Sequence, residues 1–234
     1  MFAGLLHAAI ALPLPPPYIA LNSTAGFNLL ADPTTLKASY LQTSIHLTTQ
    51  EDGGSCFRAS ATTVLNALSM HGIAAPVDKG PLGLLGNYWT QDNVVASPCA
   101  VGNCSYPHCI GATLEEAARA LSCVDGVRVQ PIHARDTLLT NAADLSALLK
   151  LELSTAGRHI IANFIGNAMD LNHHGHFSPT VAYHPGRDMA LVLDVSRYKY
   201  SPWWVPVSLL YKGLDTTDTG AKKQRGLMVV SGPG

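Results

Sequence analysis

Charge is scarce in this chain. Asp, Glu, Lys and Arg make up 13% of its 234 residues, hydrophobic residues make up 47%, and the net charge is -1. A near-neutral chain with no polybasic run lacks the electrostatic footprint of a nucleic-acid binder or of a protein drawn to a membrane surface. Internal repeats are also missing, and apart from a proline cluster so is any low-complexity tract. The glycine-rich stretch Gly80 to Gly86 lacks the Gly-Lys-Ser/Thr ending that cradles nucleotide phosphates. No apolar run is long enough to span a membrane. The opening MFAGLLHAAIALPLPPP is too short, and His7 interrupts it. It has no basic residue ahead of its apolar part, so a cytoplasmic placement is favoured over a periplasmic or secreted one. A processed signal remnant and a segment packed on the domain are the competing readings. Cysteine is sparse and odd in number: five residues cannot all pair within the chain. Cys99, Cys104, Cys109 and His108 also lack the C-x-x-C spacing of common zinc sites.

What remains is an ordinary globular composition, long enough for one domain or for two lobes around a cleft. Residues Leu12 to Asn22 are proline-rich and should be extended. Short helices are expected at Gly26–Leu30 and Leu36–Leu41, and a longer one from Cys56 with Ala59, Val64, Leu65 and Leu68 among its apolar positions. Thr113 and Glu116 read as the capping box of a helix running to Leu121. Ala143 or Asp144 opens another, through Leu153. From Arg158 the texture changes to short β-rich runs: His159–Phe164, Phe177–Tyr183, Met189–Val195 and Leu227–Val230. Two of these, around the turn His184-Pro185-Gly186, predict an antiparallel hairpin. The pattern predicts one α+β domain over 1–234. Residues 1–22 would be an extended segment, about 23–155 a helical N-terminal lobe, and about 156–234 an antiparallel β-sheet lobe.

Chemistry concentrates on the stretch QEDGGSCFRASATTVLNALS. Cys56 stands where Gly53, Gly54 and Ser55 give way to a helix. Its thiol would therefore face unpaired N–H groups and the positive end of the helix dipole, both of which favour the thiolate. A single cysteine is most often inert packing, so the weight comes from its companions. Gln50, just upstream, is an amide placed as an oxyanion donor would be. His176 follows a glycine and starts a strand. Asp194 closes an almost continuous apolar run, where a carboxylate needs a partner, and the adjacent strand offers His176. Taken alone, each residue also has a bland reading: His176 as a core or loop histidine beside His173 and His174, Asp194 as a strand-end cap or a partner for Arg197.

GHFSP, RDMALVLDVSRYKYSPWWVP and the closing QRGLMVVS, together with Gln50 to Leu68, TQDN at Thr90 to Asn93, and ALPLPPPYIALNS, closely resemble the catalytic domain of phytochelatin synthases. These are glutathione γ-glutamylcysteinyltransferases with a papain-like cysteine protease fold. The resemblance implies Cys56 as nucleophile, His176 as general base and acid, Asp194 as the residue orienting the imidazole, and Gln50 as an oxyanion donor. It further implies a substrate-binding set of Arg225, Asn163, Gly175 and Arg197, with Arg225 toward a substrate carboxylate. An ion pair from Arg197 to Asp194 is preferred over direct substrate contact. The chain departs from the family pattern at Ser55, where an aromatic residue is usual, and at Phe57, where glycine is usual; Phe57 still offers its backbone N–H.

The implied activity removes glycine from glutathione through a Cys thioester and passes γ-Glu-Cys to water or to a second glutathione. No cofactor is required for acylation and no metal ligands are expected. Cadmium or zinc would enter as the metal thiolate of the acceptor substrate. Glutathione and metal–glutathione thiolates are the expected partners, in a homodimer, with no nucleic acid and no membrane. The resemblance is to the short, prokaryotic-type members. Two other classes compete: a metal- or thiol-binding module built on the Cys99 to Cys109 loop, and a general papain-like peptidase.

Overall fold

A computed structural model describes residues 12–78, 86–95 and 111–233. In chain order its elements are β1 (Ile19–Ala20), α1 (Thr24–Ala31), α2 (Tyr40–Ile45), α3 (Cys56–Ser69), β2 (Val77–Asp78), β3 (Gly86–Asn87), α4 (Leu114–Ser122), β4 (Arg128–His133), α5 (Ala142–Glu152), β5 (Arg158–Ile165), β6 (Gly175–His184), β7 (Met189–Val192), β8 (Trp203–Pro206), α6 (Val207–Leu214), β9 (Thr217–Asp218), β10 (Lys223–Gln224) and β11 (Gly226–Ser231). Among the described residues the main sheet has seven strands in the order β1-β8-β7-β6-β5-β11-β4, and every neighbouring pair is antiparallel. The α+β class agrees with the sequence pattern. No helix among the described residues is long and apolar enough to cross a membrane.

Side-chain alternation along the strands gives the sheet two buried faces. In β11, Leu227 and Val229 join Ile160, Ala162 and Phe164 of β5 in a core shared with Leu145 and Leu149 of α5 and Leu210 and Leu214 of α6. Met228 and Val230, with Ile161 and Phe177, point the other way, onto Ala61, Val64, Leu65 and Leu68 of α3 and Ala117 and Leu121 of α4. A third cluster closes the α1 corner around Leu29, Leu191 and Trp204. Helices thus cover both faces of one sheet, α3 and α4 on one side and α5 and α6 on the other.

This layering departs from a division along the chain. Strand β4 and helix α5 both precede residue 156, yet β4 pairs with β11 and α5 packs on the sheet face away from α3. The helix expected at Leu36–Leu41 starts at Tyr40 instead. Leu36 is drawn into a bridge with Tyr183, exchanging both backbone hydrogen bonds at 2.9 Å. Met189–Val195 is strand only to Val192, because the ladder to β6 ends there and Leu193 makes a last bond to the Pro179 carbonyl. The Thr113–Glu116 capping box is present on both sides. Asn141, two to three residues ahead of the expected start, caps α5.

Candidate active site

Helix α3 is buried along almost its whole length, from Cys56 to Leu68. Its polar side chains therefore need internal partners. Ser60 donates to the carbonyls of Cys56 and, across the layers, Phe177, which ties the first turn of α3 to β6. Asn66 makes a reciprocal pair with the backbone of Trp89. The loop before α3 is held as firmly. Gln91 of the TQDN segment donates to the Thr49 carbonyl and accepts from Glu51 N–H, Arg58 reaches Glu51, and Gln50 N–H donates to the Val195 carbonyl. That last bond fastens the start of α3 to the segment that carries Asp194.

Cys56 is the first residue of α3 and is 5% exposed. Burial pushes its thiol pKa up. The hydrogen bond and charge of His176, with the backbone N–H groups of Phe177 and Phe57, outweigh burial and bring it below its ordinary value. Burial likewise pushes the His176 imidazole down, but the charge and hydrogen bond of Asp194, aided by Cys56, raise it to about 9. Burial alone would raise the Asp194 carboxyl. The His176 charge and the two imidazole hydrogen bonds instead hold it far below the usual carboxylate range. Each of these shifts runs toward the charged form of its group, with the thiol and the carboxyl lowered and the imidazole raised.

Asp194, fully buried, has each of its oxygens filled. Oδ1 accepts from His176 Nε2 at 3.0 Å and Ser196 N–H at 2.8 Å, and Oδ2 accepts from His173 Nε2 at 2.9 Å and Trp203 Nε1 at 3.0 Å. An ionised carboxylate only accepts, so the His176 nitrogen facing it carries the proton; Ser178 Oγ lies 3.1 Å from that same nitrogen. Asp194 lies two residues past the end of β7 and reaches His176 from beyond the ladder, not as its directly opposed neighbour.

The remaining expected residues divide. Gln50 is buried beside this group, but both its amide hydrogens are already engaged: Nε2 donates to the Asp52 carbonyl at 2.6 Å and to Tyr198 Oη at 3.0 Å, while Oε1 accepts from Ser196 Oγ. Gly175 precedes His176 and gives Arg225 its room, since a Cβ there would stand 3.0 Å from Arg225 Nη2. Arg225 donates to the Thr217 carbonyl and pairs with Asp218 at 3.4 Å, and its buried Nε has no hydrogen-bond partner. Asn163, opposite both Phe177 and Gly226, donates to the His176 carbonyl at 3.4 Å and keeps a buried, unbonded Oδ1. Arg197 is exposed. The expected ion pair to Asp194 is not formed: the carboxylate's acceptor positions are taken by His173, His176, Ser196 and Trp203.

Sequence reasoning passed over His173, Trp203, Tyr198 and Asp218. The doubled imidazole in Asn172-His173-His174-Gly175-His176 was the available signal for His173, but it reads equally as a solvated loop. His173, His176 and Asp194 also lie close enough to be considered as metal ligands. The nitrogens that converge there, however, donate hydrogen bonds to the carboxylate and offer it no free lone pairs. The Cys99, Cys104, His108 and Cys109 loop lies outside the described residues.

A buried cysteine–histidine–aspartate constellation, with the cysteine at a helix N-terminus, the histidine on an antiparallel sheet and the aspartate just past the end of one of its strands, defines the class of this site. A sequence profile of the phytochelatin synthase family matches residues 9–227, so the chain belongs to that family. Among curated proteins it is 32% identical to glutathione gamma-glutamylcysteinyltransferase 1 of Triticum aestivum, over 92% of this chain and 41% of the wheat protein. It is 30% identical to the protein of the same name from Lotus japonicus, over 93% of this chain and 41% of the other. The chain thus spans about two fifths of the length of these relatives. Xylellain, a cysteine protease from Xylella fastidiosa, superposes over 88% of each chain with 12% identity and a TM-score of 0.44.

Proposed function

We propose that this chain is a γ-glutamylcysteinyl transferase acting on glutathione through a Cys56 thioester. The observation that carries the reading is a buried Cys56 at the start of α3, its thiol pKa lowered by an Asp194-backed His176, inside a chain of the phytochelatin synthase family. The Cys56 thiolate attacks the carbonyl carbon of the cysteinyl-glycine peptide bond. The His176 imidazolium gives its proton to the departing amine, so glycine leaves and a γ-glutamylcysteinyl thioester remains. Neutral His176 then takes a proton from water or from a second glutathione as that acceptor attacks the thioester, and the thiolate is regenerated. A cadmium or zinc thiolate of glutathione would be an acceptor substrate, soft metal ions being matched to sulfur.

Arg225 and Asp218 give the substrate reading its chemistry. A guanidinium and a carboxylate side by side, against the residue preceding His176, match the α-carboxylate and α-ammonium of a γ-glutamyl group. For Gln50 to act as oxyanion donor, one of its two hydrogen bonds must be given up on substrate binding. The bond to Tyr198, a half-exposed side chain, is the easier to release.

Purified protein incubated with glutathione, with and without cadmium, should release free glycine and form γ-glutamylcysteine or longer γ-glutamylcysteinyl peptides. Cys56→Ser should lose glycine release by about a thousandfold or more. Release that persists in this variant removes the nucleophile, and no release from the unmodified protein removes glutathione as substrate.

A further inference from the structure

Asp194 serves two imidazoles, and the second, that of His173, has no part in the proposed reaction. We infer that His173 is a positioning residue for the reacting pair: by occupying Asp194 Oδ2 it fixes the carboxylate plane so that Oδ1 stays aimed at His176. This rests on the reading of Cys56, His176 and Asp194 as the reacting set.

The placement of His173 is built into the fold. The loop between β5 and β6 folds back on itself, with Asn167 N–H donating to the His173 carbonyl at 2.8 Å and His173 N–H donating to the Leu171 carbonyl at 2.8 Å. Gly166 makes the close approach possible, since a Cβ there would lie 2.4 Å from that of His173. From the other side Tyr200 clamps the loop. Its hydroxyl accepts from Asn172 N–H at 2.9 Å, and its ring meets the His173 ring edge to face at 5.3 Å.

The two imidazoles stack face to face, centroids 4.2 Å apart and planes 4° from parallel, each sending Nε2–H to its own oxygen of Asp194. The rings of Phe164 and His176 meet edge to face, centroids 5.5 Å apart. His176 therefore has little freedom to turn. The carboxylate would gain such freedom if its His173 bond were lost: Oδ1 would keep His176 and Ser196, while Oδ2, left with Trp203 alone, could swing toward that single donor. Any such rotation takes negative charge out of line with His176 and makes the thiolate at Cys56 harder to form. His173 acts through Asp194 and touches neither the thiol nor the substrate.

His173→Phe keeps the stacked ring and removes the hydrogen bond. His173→Gln restores an N–H near the position of Nε2. The readout that separates positioning from general support is the rate at which iodoacetamide alkylates Cys56 near neutral pH. It reports the thiolate and needs no glutathione turnover. Folding of both variants is checked by circular dichroism. His173→Phe should alkylate about tenfold more slowly than the unmodified protein. His173→Gln should recover most of that loss, and where glutathione is turned over the loss should fall on kcat with KM unchanged. A His173→Phe protein that alkylates at the unmodified rate overturns the inference, as does a His173→Gln protein as slow as His173→Phe. The unmodified protein supplies a test that needs no variant: long-range proton–nitrogen correlation should show two protonated, slowly exchanging Nε2 positions, and a single one would refute the shared carboxylate. Absence of glycine release from every form, with alkylation still dependent on residue 173, would sink the substrate reading and leave this inference standing.

Discussion

The two ends of the main sheet differ in a way that volume alone would misrank. Where Ser231 of β11 lies opposite Arg128 and Arg158, the strands frame an open cavity of about 590 Å³ lined by His71, Arg128, Gln130, Thr155, Arg158 and Ser231. Where Gly226 lies opposite Asn163, and Gly175 opposite Ile165, space is tight and the polar groups are buried. Charge at the roomy end is locally paired: Arg128 donates to the Gly232 carbonyl and Arg158 pairs with Glu152. At the tight end a thiol, two imidazoles and a carboxylate converge with little water to screen them; His176 is raised to about 9, Asp194 is held far below the usual carboxylate range, and Cys56 and His173 are lowered. The lesson is that convergence in a dry place, and not room, marks the end proposed to react.

The largest test of that contrast is Asp194→Asn. It replaces the shared anion by an amide that cannot accept from four donors. Glycine release should fall by about a hundredfold to ten-thousandfold, and stability by about 3 kcal/mol, because buried groups lose their counter-charge. A urea titration and a turnover assay on one preparation measure both. If the loss is small, the tight end is only packing.

The second test uses pH. The folded pKa of His176, about 9, stands above its ordinary 6.5. Its proton therefore contributes stability that is fully present below about 6.5 and lost as pH rises through about 9. In the proposed mechanism the same proton goes to the leaving glycine, so the rate should fall over the upper part of that window. Thermal midpoints and initial rates, followed from pH 6 to pH 10, should decline together. A rate that still climbs beyond pH 9 would mean that the imidazolium is not the acid.

A smaller effect is expected from Tyr198→Phe, which frees one amide hydrogen of Gln50 without disturbing the carboxylate. The chemical step should quicken by about two- to tenfold, the worth of one hydrogen bond no longer to be broken, and single-turnover mixing measures it. An unchanged or slower step would assign Tyr198 a different part. Arg128→Gln, at the roomy end, gives the smallest change. Turnover should stay within about twofold and stability within about 0.5 kcal/mol. A larger loss of turnover there would break the contrast between the ends.

Much of this could be read in advance from local pattern. The capping box at Thr113, the apolar stripe of α3 and the β-rich runs after Arg158 depend on neighbours a few residues apart, and they appear with their boundaries within a few residues of expectation. Leu36 escaped because a distant edge, Tyr183, claimed its backbone. β4 escaped because Pro131 in Arg128–His133 weakens a strand pattern that pairing with β11 then enforces. Arg197 was assigned to Asp194 on sequence proximity, whereas Trp203 reaches the carboxylate from β8, nine residues on.

Read as a string, the chain announced a cysteine at a helix start, a histidine at a strand start and an aspartate after an apolar run, because helix and strand beginnings are local events governed by caps, turns and periodicity. Folding alone determined that Asp194 takes a second imidazole, that Tyr198 occupies the Gln50 amide, and that helices cover both faces of the sheet. Each of these depends on strand order and on side chains brought together across long stretches of chain, and hydrogen-bond partners at that range are chosen by packing geometry that no short window of residues contains.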